Sequence, residues 1–294
     1  MLQGIDSERP FRTGRTRRAG AIPSTIVIQN CSGWVRLGLR DLWDYRELLY
    51  FLTWRDIKVR YKQTALGAAW AIIQPLSMMV VFSLFLGKLG GIPSDGVPYP
   101  IYTYCALLPW QLFAHSVTEA SNSLVTNERL ITRVYFPRLL VPTSAVLNGL
   151  IDFTVASAIL ILLMIHYGIG PGWGIVALPL LVLLAVTAAL GVGLWLSALN
   201  VQYRDVRYTL TFLIQFWFFA TPVVYPASLV PQVWRQLYGS NPMVGVVEGF
   251  RWALLGTVPP PVTYLAFSAA VTVLVLGGGL HYFRRMESTF ADIV

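Results

Sequence analysis

The sequence predicts an all-α integral membrane protein with six transmembrane helices per protomer. Three observations carry this. The chain of 294 residues is 55% hydrophobic and 12% charged, with a mean hydropathy of +0.60. Soluble domains carry about 25% charged residues, and so much apolar surface cannot be hidden in one aqueous core of this size. Six apolar stretches approach the roughly 20 residues that a helix needs to cross a bilayer. They fall at about 68–87, 101–123, 139–167, 175–199, 208–225 and 261–283. Gly- and Pro-rich breaks separate them, among them GGIPSDGVPYP (90–100) and GIGPGWG (168–174).

Residues 1–44 read as a basic cytoplasmic region, ahead of a membrane domain over 45–294. The stretch SERPFRTGRTRRAG is followed by no apolar h-region, so no cleavable signal peptide is expected. The segment TIVIQ (25–29) is too short to cross a membrane. Cys31 and Cys105 are far apart and suggest neither a disulfide framework nor a metal site.

The next element is a helix just before the first span. Arg55, Lys58 and Lys62 share one face, and Leu48, Leu52 and Val59 share another. Ile57 and Arg60 spoil a clean division. The pattern suits an interfacial helix lying along the headgroups. Positive-inside anchoring accounts for its charge but not for its length, whereas a docking surface accounts for both.

Six spans place both termini on one side. Of the 22 Lys and Arg, all but Lys88, Arg235 and Arg251 fall on that side, which makes it cytoplasmic. The net charge of +8 is therefore topology, and a nucleic-acid partner is not expected.

Between spans five and six, residues 226–258 are too interrupted to cross. NPMVGVVEGFRWALLG (241–256) reads as one short helix, with Asn241 as N-cap, Pro242 at the first helical position and Gly256 as the stop. Glu248 and Arg251 are spaced to pair. The expected form is a re-entrant or surface hairpin of short helices on the outer side.

Chemical groups within the spans are few: His115, Glu119, Asp152 and His166. Glu119 and His115 share a face one turn apart, near the cytoplasmic interface. Asp152 lies near mid-depth, where an acid reads either as a functional group or as glue between helices. No phosphate-binding loop of the form G-x-x-x-x-G-K-[ST] occurs, and no metal cluster or nucleophile elbow. Aromatics gather in span two (Tyr99, Tyr102, Tyr104, Trp110, Phe113) and span five (Phe216, Trp217, Phe218, Phe219, Tyr225). An interfacial belt explains the outermost of them. The deeper ones either pack or line a path for sugar rings, whose apolar faces suit aromatic side chains.

Four segments carry a resemblance: LLYFLTWRDIKVRYKQTALGAAWAIIQPL, SNSLVTNERLITRVYFPRLLVP, LNVQYRDVRYTLTFLIQFWFFATPVVYP and NPMVGVVEGFRWALLG. In order and spacing they resemble the permease subunit of polysaccharide-exporting ABC transporters of the ABC-2 type, which export O-antigen, teichoic acid and related cell-wall glycans. The resemblance runs from about residue 45 to the end of span six. It implies a non-enzymatic homodimer in the bacterial cytoplasmic membrane. It also implies two copies of a separate ATPase that binds ATP and Mg, since this chain carries no cofactor of its own. The substrate implied is a polysaccharide on a polyprenyl diphosphate.

Site residues follow from the same resemblance. ATPase coupling is implied for Arg55, Lys58, Arg60, Lys62, Arg129, Arg133, Phe136, Pro137 and Arg138. A glycan channel is implied for Tyr102, Trp110, Phe113, Phe216, Trp217, Phe219 and Tyr225. An outer gate is implied for Trp234, Asn241, Pro242, Glu248, Arg251 and Trp252. Two other classes stay open on the residues alone. A polytopic glycan-modifying transferase would need an acid or His pair at an interface, and His115 with Glu119 comes nearest. A secondary carrier would work without an ATPase.

Overall fold

A computed structural model describes residues 43–62, 67–203, 205–256, 259–287 and 290. Nearly all of the expected 1–44 region, with Cys31 and the TIVIQ segment, lies outside the described residues. Every regular element among the described residues is a helix, with no strand.

The interfacial helix is α1, Arg46–Lys62. The first span is α2, Gly67–Phe82, continued with π-helical winding over Ser83–Leu89. The second is α3, Tyr99–Thr126. A short α4, Glu128–Arg133, follows on the loop to α5, Leu140–Tyr167. A 3-10 turn, Trp173–Ala177, leads into α6, Leu178–Gln202. Then come α7, Val206–Phe219; α8, Arg235–Gly239; α9, Pro242–Leu255; and α10, Val262–Met286. Among the described residues four helices are both long and apolar enough to cross a membrane: Ala69–Leu89, Leu140–Tyr167, Trp173–Gln202 and Val262–Met286.

The other two expected spans differ for physical reasons. The helix α3 is long enough, at 28 residues, but more polar. It is the central helix, packed on α2, α5, α6 and α9, so neighbours rather than lipid cover most of its surface. A helix buried in protein can carry His115 and Glu119 where a lipid-facing one could not. The helix α7 has 14 residues, about 21 Å at 1.5 Å per residue, which is short of a full crossing. It stops at Phe219 where Pro222 and Pro226 follow, because proline supplies no N–H to continue the ladder.

Small residues set the helix crossings. A Cβ on Gly193 of α6 would come within 2.6 Å of the Ala120 Cβ on α3. A Cβ on Gly245 of α9 would stand 2.5 Å from both the Ser268 hydroxyl and the Tyr264 carbonyl of α10. Apolar helices in lipid gain little by hiding from water, so close backbone approach is how they bind one another.

Candidate functional site: a cavity with an ionic cluster, and a broken helix

A cavity of about 740 Å³ opens between α2, α3, α5 and α7, with one residue contributed by α1. Its wall includes a group of aromatic and thioether side chains: Trp70, Met78, Phe82, Trp110, Phe218 and Phe219. Phe218 is the hub, 5.6 Å from the Phe82 ring, 5.7 Å from Trp110 and 5.2 Å from Phe219. Three neutral amides, Gln74, Gln111 and Gln215, reach the same cavity from three helices. No sequence pattern marks those glutamines, because each stands alone on its own helix.

At one end of the cavity lie Arg60, His115 and Asp152. Asp152 is tied to the interfacial helix. Its Oδ2 accepts from Arg60 at 2.7 Å, and its Oδ1 accepts from the Tyr61 hydroxyl at 2.7 Å. Glu119 stands 3.7 Å from the same guanidinium, and His115 Nε2 lies 3.7 Å from Asp152 Oδ2. The shared face of His115 and Glu119 thus looks onto this cluster. Burial, and then the hydrogen bond to Asp152, push the Tyr61 hydroxyl up to about 12.

The residues implied in ATPase coupling divide by direction. Arg60 points inward as described. Arg55 donates to Asp56 at 2.7 Å and to Asn127, at the end of α3, at 2.8 Å. Lys58 lies over the Trp54 ring at 5.9 Å, and Lys62 is exposed. Leu52 is the buried residue of α1, whereas Val59 is exposed, so the inward face is Leu52 continued by Arg55 and Arg60 rather than by Val59. Arg129 and Arg133 of α4 are exposed. Phe136 is buried and Pro137 half-buried. Arg138 donates its backbone N–H to Glu287 Oε1 at 3.2 Å and its guanidinium to the Glu287 carbonyl.

The residues implied in the channel divide too. Tyr102, Trp110 and Phe113 are packed inside the protomer, with Phe113 fully buried and 5.0 Å from Trp217. Phe216 and Phe219 are open, the latter 56% exposed. Trp217 and Tyr225 are half-buried.

A separate feature is the break after α7. Carbonyls left without helix partners are costly in lipid, and irregular backbone survives there only if side chains satisfy it. Asn241 and Arg251, implied in the gate, and Tyr225, implied in the channel, do this. Asn241 Nδ2 donates to the Ala220 carbonyl at 3.2 Å and to the Thr221 hydroxyl at 2.9 Å. Its Oδ1 accepts from Trp217 Nε1 at 2.9 Å and, as the N-cap of α9, from the Met243 N–H at 3.0 Å. The Tyr225 hydroxyl donates to the Phe219 carbonyl at 2.8 Å. Arg251 donates to the Val223 carbonyl at 2.8 Å and the Tyr225 carbonyl at 3.4 Å. It is 1% exposed, paired with Glu248 at 2.9 Å, and its guanidinium lies 3.8 Å from the centre of the Tyr102 ring.

The caps expected for α9 are all present: Asn241, Pro242 and a left-handed Gly256 at φ 64°. Its setting differs from a surface hairpin, since nearly every residue from Pro242 to Leu255 is buried against α3, α6 and α10. Trp252 is half-buried and Trp234 exposed. His166 is exposed at the end of α5, beside Tyr167.

Comparison with known proteins agrees with this architecture. A family model described as "ABC-2 type transporter" matches residues 47–255. An O-antigen export system permease protein, RfbA, of Myxococcus xanthus is 31% identical over 259 residues, which is 87% of this chain and 98% of that one. A protein of the same description from Klebsiella pneumoniae is 28% identical, covering 84% and 95%. The polysialic acid transport protein KpsM of Escherichia coli is 27% identical, covering 79% and 91%. The chain is a multi-pass membrane protein and belongs to the ABC-2 type transporter family.

Proposed function

We propose that this chain is the permease subunit of an ABC exporter that moves a polyprenyl-diphosphate-linked polysaccharide across the bacterial inner membrane. The observation that carries the reading is the cavity itself: aromatic faces interleaved with neutral amides, open along one side. Sugar rings present apolar faces and hydroxyl edges, and such a wall meets both. The similarity to O-antigen and polysialic acid transport proteins supports it.

In this reading two copies face each other and close the open cavity into a path. The exposed apolar residues of α2 and α7, such as Phe85, Phe212 and Phe216, suit burial against lipid or a second copy. Energy comes from a separate ATPase, because this chain holds no phosphate loop. That ATPase binds ATP and Mg, and docks on the cytoplasmic side against Lys58, Lys62, Arg129 and Arg133, with both termini of this chain on the same side. Coupling is mechanical: α1 touches the ATPase on its outer face and the cavity through Arg60. The broken end of α7, with α8 and α9, forms the outer gate.

The test is removal of the gene in its own host. Surface polysaccharide should vanish while lipid-linked glycan accumulates on the inner face, and both should recover on complementation. An unchanged surface polysaccharide would refute the reading.

A further inference from the structure

The end of α10 is fastened to the loop that follows α4. Arg138 donates its backbone N–H to Glu287 Oε1 at 3.2 Å and its guanidinium to the Glu287 carbonyl. The other carboxylate oxygen, Oε2, accepts from Arg284 at 2.8 Å. Glu287 stands just past Met286, the last residue of α10, and 149 residues after Arg138. Further on, Phe290 is fully buried, its ring 5.2 Å from that of Phe283. Phe290 belongs to one apolar cluster with Leu52 of α1, Ile131 of α4, and Phe136 and Leu139 of the loop.

A helix of 6 residues such as α4 cannot hold its shape alone in water, because nucleation is costly and few hydrogen bonds repay it. It takes its direction from what it packs against. On its inner side Ile131 is buried in the cluster that holds Phe290. On its outer side Arg129 and Arg133 are exposed, and Val134 and Tyr135 beyond them are open as well. The contacts that aim this exposed face therefore include the chain beyond α10.

We propose that Glu287 and Phe290 are positioning residues of the ATPase-docking surface: they clamp the α4 loop to the end of α10, so that a push on α4 moves that span instead of bending the loop. This rests on the reading that an ATPase docks on α4, and it adds α10 to the coupling path beside α1. Both residues lie beyond the 47–255 reach of the family match. The clamp has two parts of different chemistry. Arg138 places two hydrogen bonds on Glu287, one of them to a carboxylate, which is the stronger kind. Phe290 adds an apolar hold that does not depend on charge. Coupling between distant sites runs through such packed and hydrogen-bonded contacts.

The experiment uses the full chain in its native host, with variants replacing the chromosomal copy. Surface polysaccharide is measured on the cells, and ATPase turnover on the complex captured from the same membranes. Phe290→Ala and Glu287→Ala should each raise the ATP hydrolysed per glycan delivered by about fivefold, within the range for residues that carry coupling without touching either ligand. Phe290→Leu refills the cluster, and Glu287→Gln keeps an acceptor for the Arg138 N–H. Each should restore most of the ratio. Should Phe290→Ala lose its monodisperse elution in detergent, Glu287→Ala, which leaves the apolar cluster intact, decides alone. A ratio unmoved in the folded alanine variants, or one raised equally by the conservative variants, would overturn the clamp. Capture of no ATPase by the unaltered chain would overturn the ATPase reading itself, and the clamp with it.

Discussion

Arg60 and Asp152 meet at 2.7 Å across the junction between the interfacial helix and the third span. They are 92 residues apart in sequence, and Tyr61 doubles the tie with its own hydrogen bond to the same carboxylate. The pair joins α1 to the cavity wall. It also turns an intramembrane acid from a lone charge into a fastening.

Removing the carboxylate leaves two donors unmet in a partly buried setting. Asp152→Ala is expected to destabilise the folded chain by about 2 kcal/mol, within the range for hydrogen bonds to charged groups. Asp152→Asn, which still accepts from Tyr61, should cost less. Thermal unfolding of the purified protein, followed by the loss of its monodisperse elution peak, reads the difference. An Arg60→Asp/Asp152→Arg exchange should recover part of the loss, because the two charges remain adjacent.

The break after α7 depends on a fully buried arginine. Arg251→Ala would strand Glu248 and uncap the Val223 carbonyl. The expected cost is about 3–5 kcal/mol, typical of breaking a buried ion pair from one side. Glu248→Gln, which can still accept from Arg251, should be milder. The same unfolding assay ranks them.

A single methyl group tests the packing of α9 on α10. Gly245→Ala places its Cβ 2.5 Å from the Tyr264 carbonyl, a backbone atom that cannot rotate away. Overpacking of this kind costs about 1–3 kcal/mol. Protease sensitivity of the 226–258 region should rise in that variant and not in Gly277→Ala, whose added Cβ meets nothing within 4 Å.

The aromatics should separate into two phenotypes. Phe113→Ala removes a fully buried ring and should cost about 3–5 kcal/mol, as large core truncations do. Phe219→Ala lies at the cavity wall, 56% exposed, and should leave the unfolding temperature nearly unchanged while lowering export. Equal loss of stability in both would return Phe219 to the core.

The exposed cations of α4 give the coupling test. Arg133→Glu should stay within about 0.5 kcal/mol of the parent in stability, as surface substitutions do. It should nonetheless break the link between ATP hydrolysis and export, measured as ATPase turnover per glycan delivered. Normal export in that variant would remove Arg133 from the docking surface.

Local signals carried over from sequence to structure more faithfully than long-range ones. The limits of α9 were legible because Asn241, Pro242 and Gly256 act within a turn of themselves. Four spans were legible because lipid demands an unbroken apolar run. The short α7 was not, since its apolar run continues past Phe219 and the break comes from Pro222 and the side chains that cap the freed carbonyls. Nor was the inward turn of Arg55 and Arg60. The apolar face read as Leu48, Leu52 and Val59 holds only as far as Leu52, and the partners Asn127 and Asp152 that draw Arg55 and Arg60 inward are remote in sequence. Phe113 and Phe219 are alike as residues, and packing alone makes one core and the other wall.

The central claim is that this chain is a permease worked by an ATPase it does not itself contain. The most direct measurement is gentle detergent capture of the tagged chain from its native membranes, with mass spectrometry of what accompanies it. A stoichiometric partner carrying a phosphate loop, released when Lys58, Lys62 and Arg133 are reversed in charge, is the predicted result. Recovery of the folded chain alone, with no nucleotide-binding partner, would contradict the account.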